Sequence, residues 1–185
     1  MGPSKKPFKP LHDHIRPGVR VLFVGINPGL RSAQTGHHFA GYSNRFWKLL
    51  YESGLITEPL TYREDWRLPE WHLGLTNIIG RCSGGSDVLE PAEYRRGTAS
   101  LARKIRLYRP RLVAFLGVTI FRMIFPEEDC WELGLTRVRL ADVPVFLLPN
   151  PSGRNAHYSY DRMLAAFRDL RLAAAQASSR TRSPR

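Results

Sequence analysis

Two loops of this 185-residue chain place an Asn-Pro pair beside glycines, and these residues have the types and spacing that could do chemistry. The first loop, GINPG at residues 25–29, follows an apolar run that ends at Val24. Glycines at such a turn let the backbone approach a ligand closely. Because the loop matches neither GxGxxG nor GxxxxGKS/T, three interpretations stay open: a tight strand-to-helix connection, a phosphate cradle, or a catalytic role for Asn27.

The second loop reads NPSGRNAH at residues 150–157 and follows the apolar run Val143 to Leu148. Taken alone, it could be only a turn stiffened by proline. Arg154, however, carries a planar guanidinium that donates hydrogen bonds and stacks on flat rings, and Gly153 beside it leaves room for this. The ordinary alternative is a surface arginine that contacts a phosphate.

A carboxylate near Asn27 would complete a hydrolytic site, because an asparagine can orient water but cannot accept its proton. Asp87 lies in a Gly-rich loop, where it could equally be a solvated turn residue. Glu93 competes with it, although the first turn of a predicted helix already explains an acidic residue there. Asp87 is therefore our candidate for the carboxylate that acts with Asn27, and two alternatives stay open: Glu93, or no carboxylate at all.

The histidines and cysteines form no recognisable metal-binding pattern. His37 and His38 are adjacent and lack the i, i+4 spacing of helical zinc ligands, and Cys82 and Cys130 fit no CxxC motif. The sequence predicts neither a metal site nor an iron–sulfur cluster, and we expect both cysteines to be reduced thiols.

The composition favours a polyanionic partner. The formal net charge is +12 and the sequence pI is about 10.4, so the surface should attract nucleic acid. Part of the charge lies near the chain ends, where it could serve solubility alone, but basic residues also recur between residues 95 and 111. No apolar stretch approaches the roughly 18 residues that span a membrane, so we expect a cytoplasmic protein that binds nucleic acid.

A sheet must position these loops, and the apolar pattern indicates one. Apolar runs bounded by glycine or proline predict buried strands at Val19 to Gly25, Leu73 to Ile79, Leu112 to Gly117 and Val143 to Leu148. Helical spacing predicts helices at Asn44 to Ser53, at Pro91 to Tyr108 and around Met163 to Ala174. The alternation predicts an α/β fold, a three-layer α/β/α sandwich with a mostly parallel sheet and function at the carboxyl ends of its strands. One domain, residues 11–176, is expected between basic tails at 1–10 and 177–185.

Taken together, GINPG at Gly25 to Gly29 and NPSG at Asn150 to Gly153 resemble the motifs of the mismatch-specific uracil-DNA glycosylase and thymine-DNA glycosylase family. The similarity continues through GLRSAQTGHHFAGYSNRFW at residues 29–47, and the predicted strand order agrees from about Val19 to Leu172. The resemblance implies a uracil-DNA glycosylase-like fold and an enzyme that needs no metal or cofactor.

The resemblance also implies roles for single residues. Asn27 would hold the attacking water and Phe39 would stack on the extruded base, whereas a phenylalanine outside such a motif is more often an ordinary core residue. The remaining implied roles are a base pocket formed by Ile26, Gly29, Asn77 and Asn150, and a wedge that enters the duplex at Ser152, Gly153 and Arg154.

Gly29 bears on the substrate, because strict uracil enzymes of the wider superfamily resemble this motif but carry a bulky tyrosine there that excludes a C5 methyl group. Glycine leaves the space open, so thymine would fit and mismatched bases would be selected by their lower flipping cost. The chain departs from the family at Arg154 to His157, where relatives often have an apolar residue and a serine, and at Asn77, where some have lysine.

We therefore expect a monomeric, monofunctional DNA glycosylase that flips uracil out of duplex DNA and hydrolyses the N-glycosidic bond, initiating base excision repair. Mismatched thymine and related damaged pyrimidines are expected as further substrates. No well-placed lysine nucleophile for lyase chemistry is evident in the sequence. Two alternatives stay open: a nucleic-acid-binding module without turnover, and an enzyme that acts on small nucleotides.

Overall fold

The computed structural model describes residues 8–85, 88–128 and 132–179. Within these residues the strands are β1 (Val21–Gly25), β2 (Leu73–Asn77), β3 (Leu112–Leu116), β4 (Gly134–Leu140) and β5 (Val143–Leu148). The α-helices are α1 (Leu30–Thr35), α2 (Phe46–Glu52), α3 (Pro91–Tyr108), α4 (Val118–Ile124) and α5 (Tyr160–Ser179). A 3-10 segment, Tyr62–Trp71, precedes β2.

The strands form one sheet in the order β2-β1-β3-β5-β4. The pairs β1 with β2, β1 with β3 and β3 with β5 are parallel, and only the edge strand β4 runs antiparallel to its neighbour. This confirms the predicted mostly parallel sheet. The chain leaves β1 and β3 toward opposite edges, so a crevice opens beyond the carboxyl ends of these two strands.

Helices cover both faces of the sheet, as predicted for a three-layer sandwich. All five residues of β1 are buried. Val21 and Phe23 belong to a core with α2, the 3-10 segment and α5, in which Phe23 contacts the rings of Phe46 and Phe167. Leu22 and Val24 pack on the opposite face, in a second core with α3 and α4. Successive residues of β1 therefore point alternately into the two cores on opposite faces of the sheet.

The four predicted strands and three predicted helices are confirmed, with ends that shift by a few residues. Helix α3 has the predicted limits, whereas α5 runs to Ser179 and so includes three residues assigned to the tail. The sequence reading missed β4, α1, α4 and the 3-10 segment. The two missed helices have six and seven residues, too few to show a helical period, and β4 is a half-buried edge strand. No helix in the described part of the chain is long and apolar enough to cross a membrane.

Gly97 lets helix α3 approach the end of β2. A Cβ atom at this position would overlap the backbone carbonyl of Ile78. Backbone cannot move aside as a flexible side chain can, so glycine is required here by space. The contact brings the helix against the segment that leads from β2 into the Gly-rich loop.

We expect Gly97→Ala to destabilise the fold by about 1 to 3 kcal/mol, as overpacking does. In an open helix the same change would stabilise by about 0.5 to 1 kcal/mol. Urea unfolding measures the difference, with Ser100→Ala one turn later as the control that should stay within about 0.5 kcal/mol of the parent. A stabilised Gly97→Ala protein would contradict the close approach.

Candidate active site

A cavity of about 360 Å³ lies beyond the carboxyl ends of the central strands. Every site residue predicted from sequence that the structure describes lines it: Ile26, Asn27, Gly29, Phe39, Asn77, Asn150, Ser152, Gly153 and Arg154. Asp87 lies outside the described residues. The sheet topology thus joins the GINPG loop after β1 with the NPSG loop after β5, which are more than 100 residues apart.

The amide of Asn27 is held in one orientation. Its Nδ2 donates hydrogen bonds to the carbonyl oxygens of Pro28 (3.3 Å) and Arg81 (3.1 Å) and to Ser83 Oγ (2.8 Å). Because a carbonyl oxygen can only accept, the nitrogen must face these groups. None of the described residues donates to Asn27 Oδ1, so this oxygen remains an acceptor for a molecule in the cavity.

Phe39 lies on a strained turn and is supported from behind. Its φ of 51° is in the left-handed region that phenylalanine rarely adopts. The ring packs on Phe46 of α2 with a centroid distance of 4.2 Å and an interplanar angle of 31°. A backbone conformation of this kind persists only when neighbouring contacts impose it. In this conformation the Phe39 ring lines the cavity with Phe46 packed against it.

A buried carboxylate holds the residues just before Phe39. Asp65, 1% exposed, accepts hydrogen bonds from His37 Nδ1 (3.0 Å) and the His38 backbone N–H (2.8 Å), and its Oδ1 lies 3.3 Å from His14 Nε2. Burial acts to raise the pKa of Asp65, but these contacts outweigh it and lower the pKa from 3.8 to about 2. Sequence reasoning missed this cluster, because it considered the histidines as metal ligands or a general base and not as partners of a buried carboxylate.

His38 in turn orients Asn77. Burial lowers the pKa of His38 below 6.5, so the ring is neutral at neutral pH. Its Nε2 donates to the carbonyl oxygen of His12 at 2.9 Å, which leaves Nδ1 as an acceptor 3.5 Å from Asn77 Nδ2. The Asn77 oxygen then lies over Gly25, where a Cβ would come within 2.5 Å of it. Asn77 thus presents a hydrogen-bond acceptor at the cavity floor.

Asn150 shapes its own loop as well as lining the cavity. Its Oδ1 accepts a hydrogen bond from the Ser152 backbone N–H at 2.9 Å, and its backbone carbonyl accepts one from Asn155 Nδ2 at 2.8 Å. The side chain packs closely on Gly117. The oxygen is therefore used within the turn, so the group that Asn150 can offer a ligand is its amide nitrogen.

The predicted wedge loop is pressed against the turn before α2. The Arg45 backbone N–H donates to the Pro151 carbonyl at 2.9 Å, and a Cβ on Gly153 would overlap Ser43. The side chain of Arg154 is exposed and donates from Nη2 to the Gly84 carbonyl at 3.0 Å. Arg154 therefore links the wedge loop to the Gly-rich loop at the cavity mouth.

Glu93, the alternative candidate for the catalytic carboxylate, is already bound by an arginine. It forms a paired contact with Arg81, at 2.9 Å from Nε and 2.7 Å from Nη2, and accepts from the Glu90 backbone N–H at 3.0 Å. The Arg81 hydrogen bonds, followed by the Glu90 contact, lower the pKa of Glu93 from 4.5 to about 2. The structure thus supports the view of Glu93 as a first-turn helix acid. Among the described residues, no group of three or more His, Cys, Asp or Glu is arranged to hold a metal ion.

The open, mostly parallel sheet with helices on both faces and a cavity at its switch point matches the α/β fold of uracil-DNA glycosylases. The solution NMR structure of a Methanosarcina acetivorans protein, provisionally assigned as a uracil DNA glycosylase, superposes with a TM-score of 0.60 at 17% identity, covering 90% of this chain and 99% of that one. The sequence profile of the uracil DNA glycosylase superfamily matches residues 12–171. The chain belongs to this superfamily, so its general activity is that of a DNA glycosylase.

The buried Asp65 carboxylate should make stability depend on pH. Because its folded pKa lies below 3.8, its contribution of about 2 kcal/mol is present above about pH 4 and is lost as the pH falls toward 2. Asp65→Asn should destabilise the protein at neutral pH and flatten the decline in stability between about pH 4 and 2. Urea unfolding across this range measures both effects, with the exposed Asp169→Asn as control. Parallel pH curves for Asp65→Asn and the parent would contradict the assignment.

Proposed function

We propose that the chain is a monofunctional, mismatch-specific DNA glycosylase that flips uracil or mismatched thymine out of duplex DNA and hydrolyses its N-glycosidic bond. The observation that carries the proposal is the anchored amide of Asn27, whose unused Oδ1 lies in the same cavity as the supported ring of Phe39. The Asn27 oxygen can accept a hydrogen bond from a water molecule, and the Phe39 ring can stack on a flat base.

Recognition of the base begins with stacking on Phe39. The cavity volume of about 360 Å³ falls within the range of small-molecule sites. Asn77 Oδ1 would accept a hydrogen bond from N3–H of uracil or thymine. Cytosine has an acceptor at N3, so the same oxygen would repel it, and an unpaired buried polar group is costly. The orientation of Asn77 therefore supports a uracil-type base.

Hydrolysis needs a water molecule aimed at the sugar. Asn27 Oδ1 would accept a hydrogen bond from this water molecule and direct one of its oxygen lone pairs toward C1′. The water oxygen then bonds to C1′ while the bond from C1′ to N1 breaks, and the base leaves with the electron pair and takes up a proton. The other product is an abasic sugar. No lysine lines the cavity among the described residues, which supports hydrolysis without lyase chemistry.

A carboxylate would stabilise the oxocarbenium-like transition state and accept the proton from water. Glu93 is bound to Arg81, so we assign this role to Asp87. Gly85, two residues before Asp87, lines the cavity, which supports the assignment.

Duplex DNA is the proposed partner, with the protein acting as a monomer in the cytoplasm, associated with the nucleoid if bacterial. The net charge of +12 would give binding that weakens with salt. Arg154 would leave the Gly84 carbonyl and fill the space vacated by the flipped base, where its guanidinium can stack and donate hydrogen bonds. Flipping costs a few kcal/mol and least for mismatched bases, which supports selection of mismatches.

The decisive assay is base release from labelled duplexes that place uracil opposite each of the four bases, with and without EDTA. We expect release from G·U that the chelator leaves unchanged. Loss of activity in EDTA that zinc restores would contradict the cofactor-free mechanism. Binding without turnover would instead indicate a binding module, and activity confined to free nucleotides would indicate a small-nucleotide enzyme.

Asn27→Ala and Asp87→Asn should each lower single-turnover uracil release by about 10² to 10⁴-fold, because each removes a group that acts on the water. Binding to an abasic duplex should change little, which separates catalysis from affinity. If both residues act on one water molecule, the double variant should lose far less than the product of the single losses. Near-parental release by Asp87→Asn would end its catalytic assignment and leave Asn27 as the water-directing group.

Gly29→Tyr tests the assignment of thymine as a substrate. Residue 29 has an ordinary φ of −71° and a Cβ there meets no atom within 4 Å, so a tyrosine can be accommodated. Its ring should exclude the C5 methyl group and lower thymine release from G·T at least about tenfold relative to uracil release from G·U. Gly29→Ala is the control and should retain both rates. Equal losses on both substrates, or no thymine release by the parent, would refute this role.

A further inference from the structure

Tyr42 is the most exposed of the large hydrophobic side chains that the structure describes, at 88%. It sits in a turn that the Asn44 backbone N–H closes on the Gly41 carbonyl at 3.0 Å. Burying an aromatic side chain of this size would stabilise a fold substantially, so its full exposure at a defined turn calls for an explanation.

The turn is fixed at the mouth of the cavity. Gly41 and Ser43, on either side of Tyr42, line the cavity, while Tyr42 itself points outward from the rim. Ser43 is in close contact with Gly153, and the Arg45 N–H is bonded to the Pro151 carbonyl. Tyr42 is therefore held beside the loop of Arg154 by backbone contacts.

Arg31 covers the Tyr42 ring with a cation that is also fixed. Its guanidinium carbon lies 3.5 Å from the ring centroid. Its Nε donates to the Ala40 carbonyl at 2.7 Å, and Nη2 donates to the Tyr62 hydroxyl at 3.4 Å. No carboxylate among the described residues lies within salt-bridge distance of Arg31, so its positive charge remains available to an anion.

We infer that Tyr42 and Arg31 form a second binding site, which takes the nucleotide next to the flipped one. This inference rests on the proposed function. The aromatic ring stacks on the neighbouring base, and the guanidinium pairs with a phosphate beside it. A nucleotide combines a flat aromatic face with an adjacent negative charge, which matches an exposed ring beside an unpaired cation.

Base flipping creates the need for such a site. When a base leaves the duplex, its neighbours lose one stacking partner, which costs a few kcal/mol. Arg154 and Tyr42 lie on two loops that touch each other at the mouth, so both reach the distorted region. Arg154 enters the vacated position, and Tyr42 covers the part of an adjacent base that Arg154 leaves uncovered.

The test measures dissociation constants for a labelled duplex that carries one tetrahydrofuran abasic-site analogue. Tyr42→Ser should weaken binding about tenfold, the lower range for loss of one base stack, whereas Tyr42→Phe should bind like the parent. Tyr51→Ser is the matched control, since Tyr51 is 44% exposed on α2 and does not line the cavity. Equal effects of Tyr42→Ser and Tyr51→Ser would overturn the inference.

Two further duplexes identify the stacked base, each with a second abasic analogue on the 5′ or the 3′ side of the first. The penalty of Tyr42→Ser should shrink to less than about twofold on the duplex that lacks the contacted base, because no stack is left to lose. An undiminished penalty on both duplexes would overturn the inference. Arg31→Gln should reduce the slope of log K against log salt by about 0.9, and Arg31→Lys should restore it.

These outcomes separate the second site from the glycosylase proposal. If the parent protein shows the Tyr42 dependence but releases no uracil, the second site stands and the proposed catalysis fails. If it releases uracil but shows no Tyr42 dependence, only the second site fails. A parent protein that binds no abasic duplex would overturn both.

Discussion

The buried carboxylate of Asp65 is the interaction on which the cavity depends. A charge removed from water must be paired and hydrogen-bonded, or the fold loses several kcal/mol. Asp65 meets this requirement with groups from two separate segments, the side chain of His14 before β1 and residues 37 and 38 before Phe39. Three distant parts of the chain therefore come together at one point. The strained turn at Phe39 and the orientation of Asn77 both follow from this arrangement, because His38 belongs to it.

Close backbone approach is the second constraint on the site. Gly25 lies under the oxygen of Asn77, and Gly153 lies against Ser43. A methyl group at Gly25 would displace the Asn77 side-chain oxygen, and one at Gly153 would push the wedge loop away from the turn at Ser43. Because these glycines have no side chain, neighbouring groups can pack closely against their backbone. This dense packing fixes the polar groups of the cavity in one orientation.

Some charged side chains form ion pairs within the protein, whereas several arginines on the surface have no acidic partner among the described residues. Glu93 is bound to Arg81, and Asp13 to Lys104 and Thr76, with 2.5 Å between Lys104 Nζ and Asp13 Oδ2. Acidic groups used in this way hold elements together at the sheet edge. Arginines such as Arg31 and Arg154 remain at the cavity mouth without a carboxylate partner among the described residues. An anionic polymer would meet unpaired cations at the place where the cavity opens.

The sequence by itself determined the strands, the longer helices and the two motif loops. Apolar runs and glycine-bounded turns are local properties of the chain, so they can be read without knowing what lies nearby. The motifs also indicated Asn27, Phe39 and Asn77 as members of one site. Only the tertiary structure decided how these side chains are oriented, that Glu93 is bound to Arg81, that Asp65 is buried and that Tyr42 is exposed beside the cavity. The physical reason is that a hydrogen bond or an ion pair depends on a few ångströms of separation. Partners such as His14 and Asp65, or Arg154 and Gly84, lie 51 and 70 residues apart in the sequence, and only folding brings them within that distance.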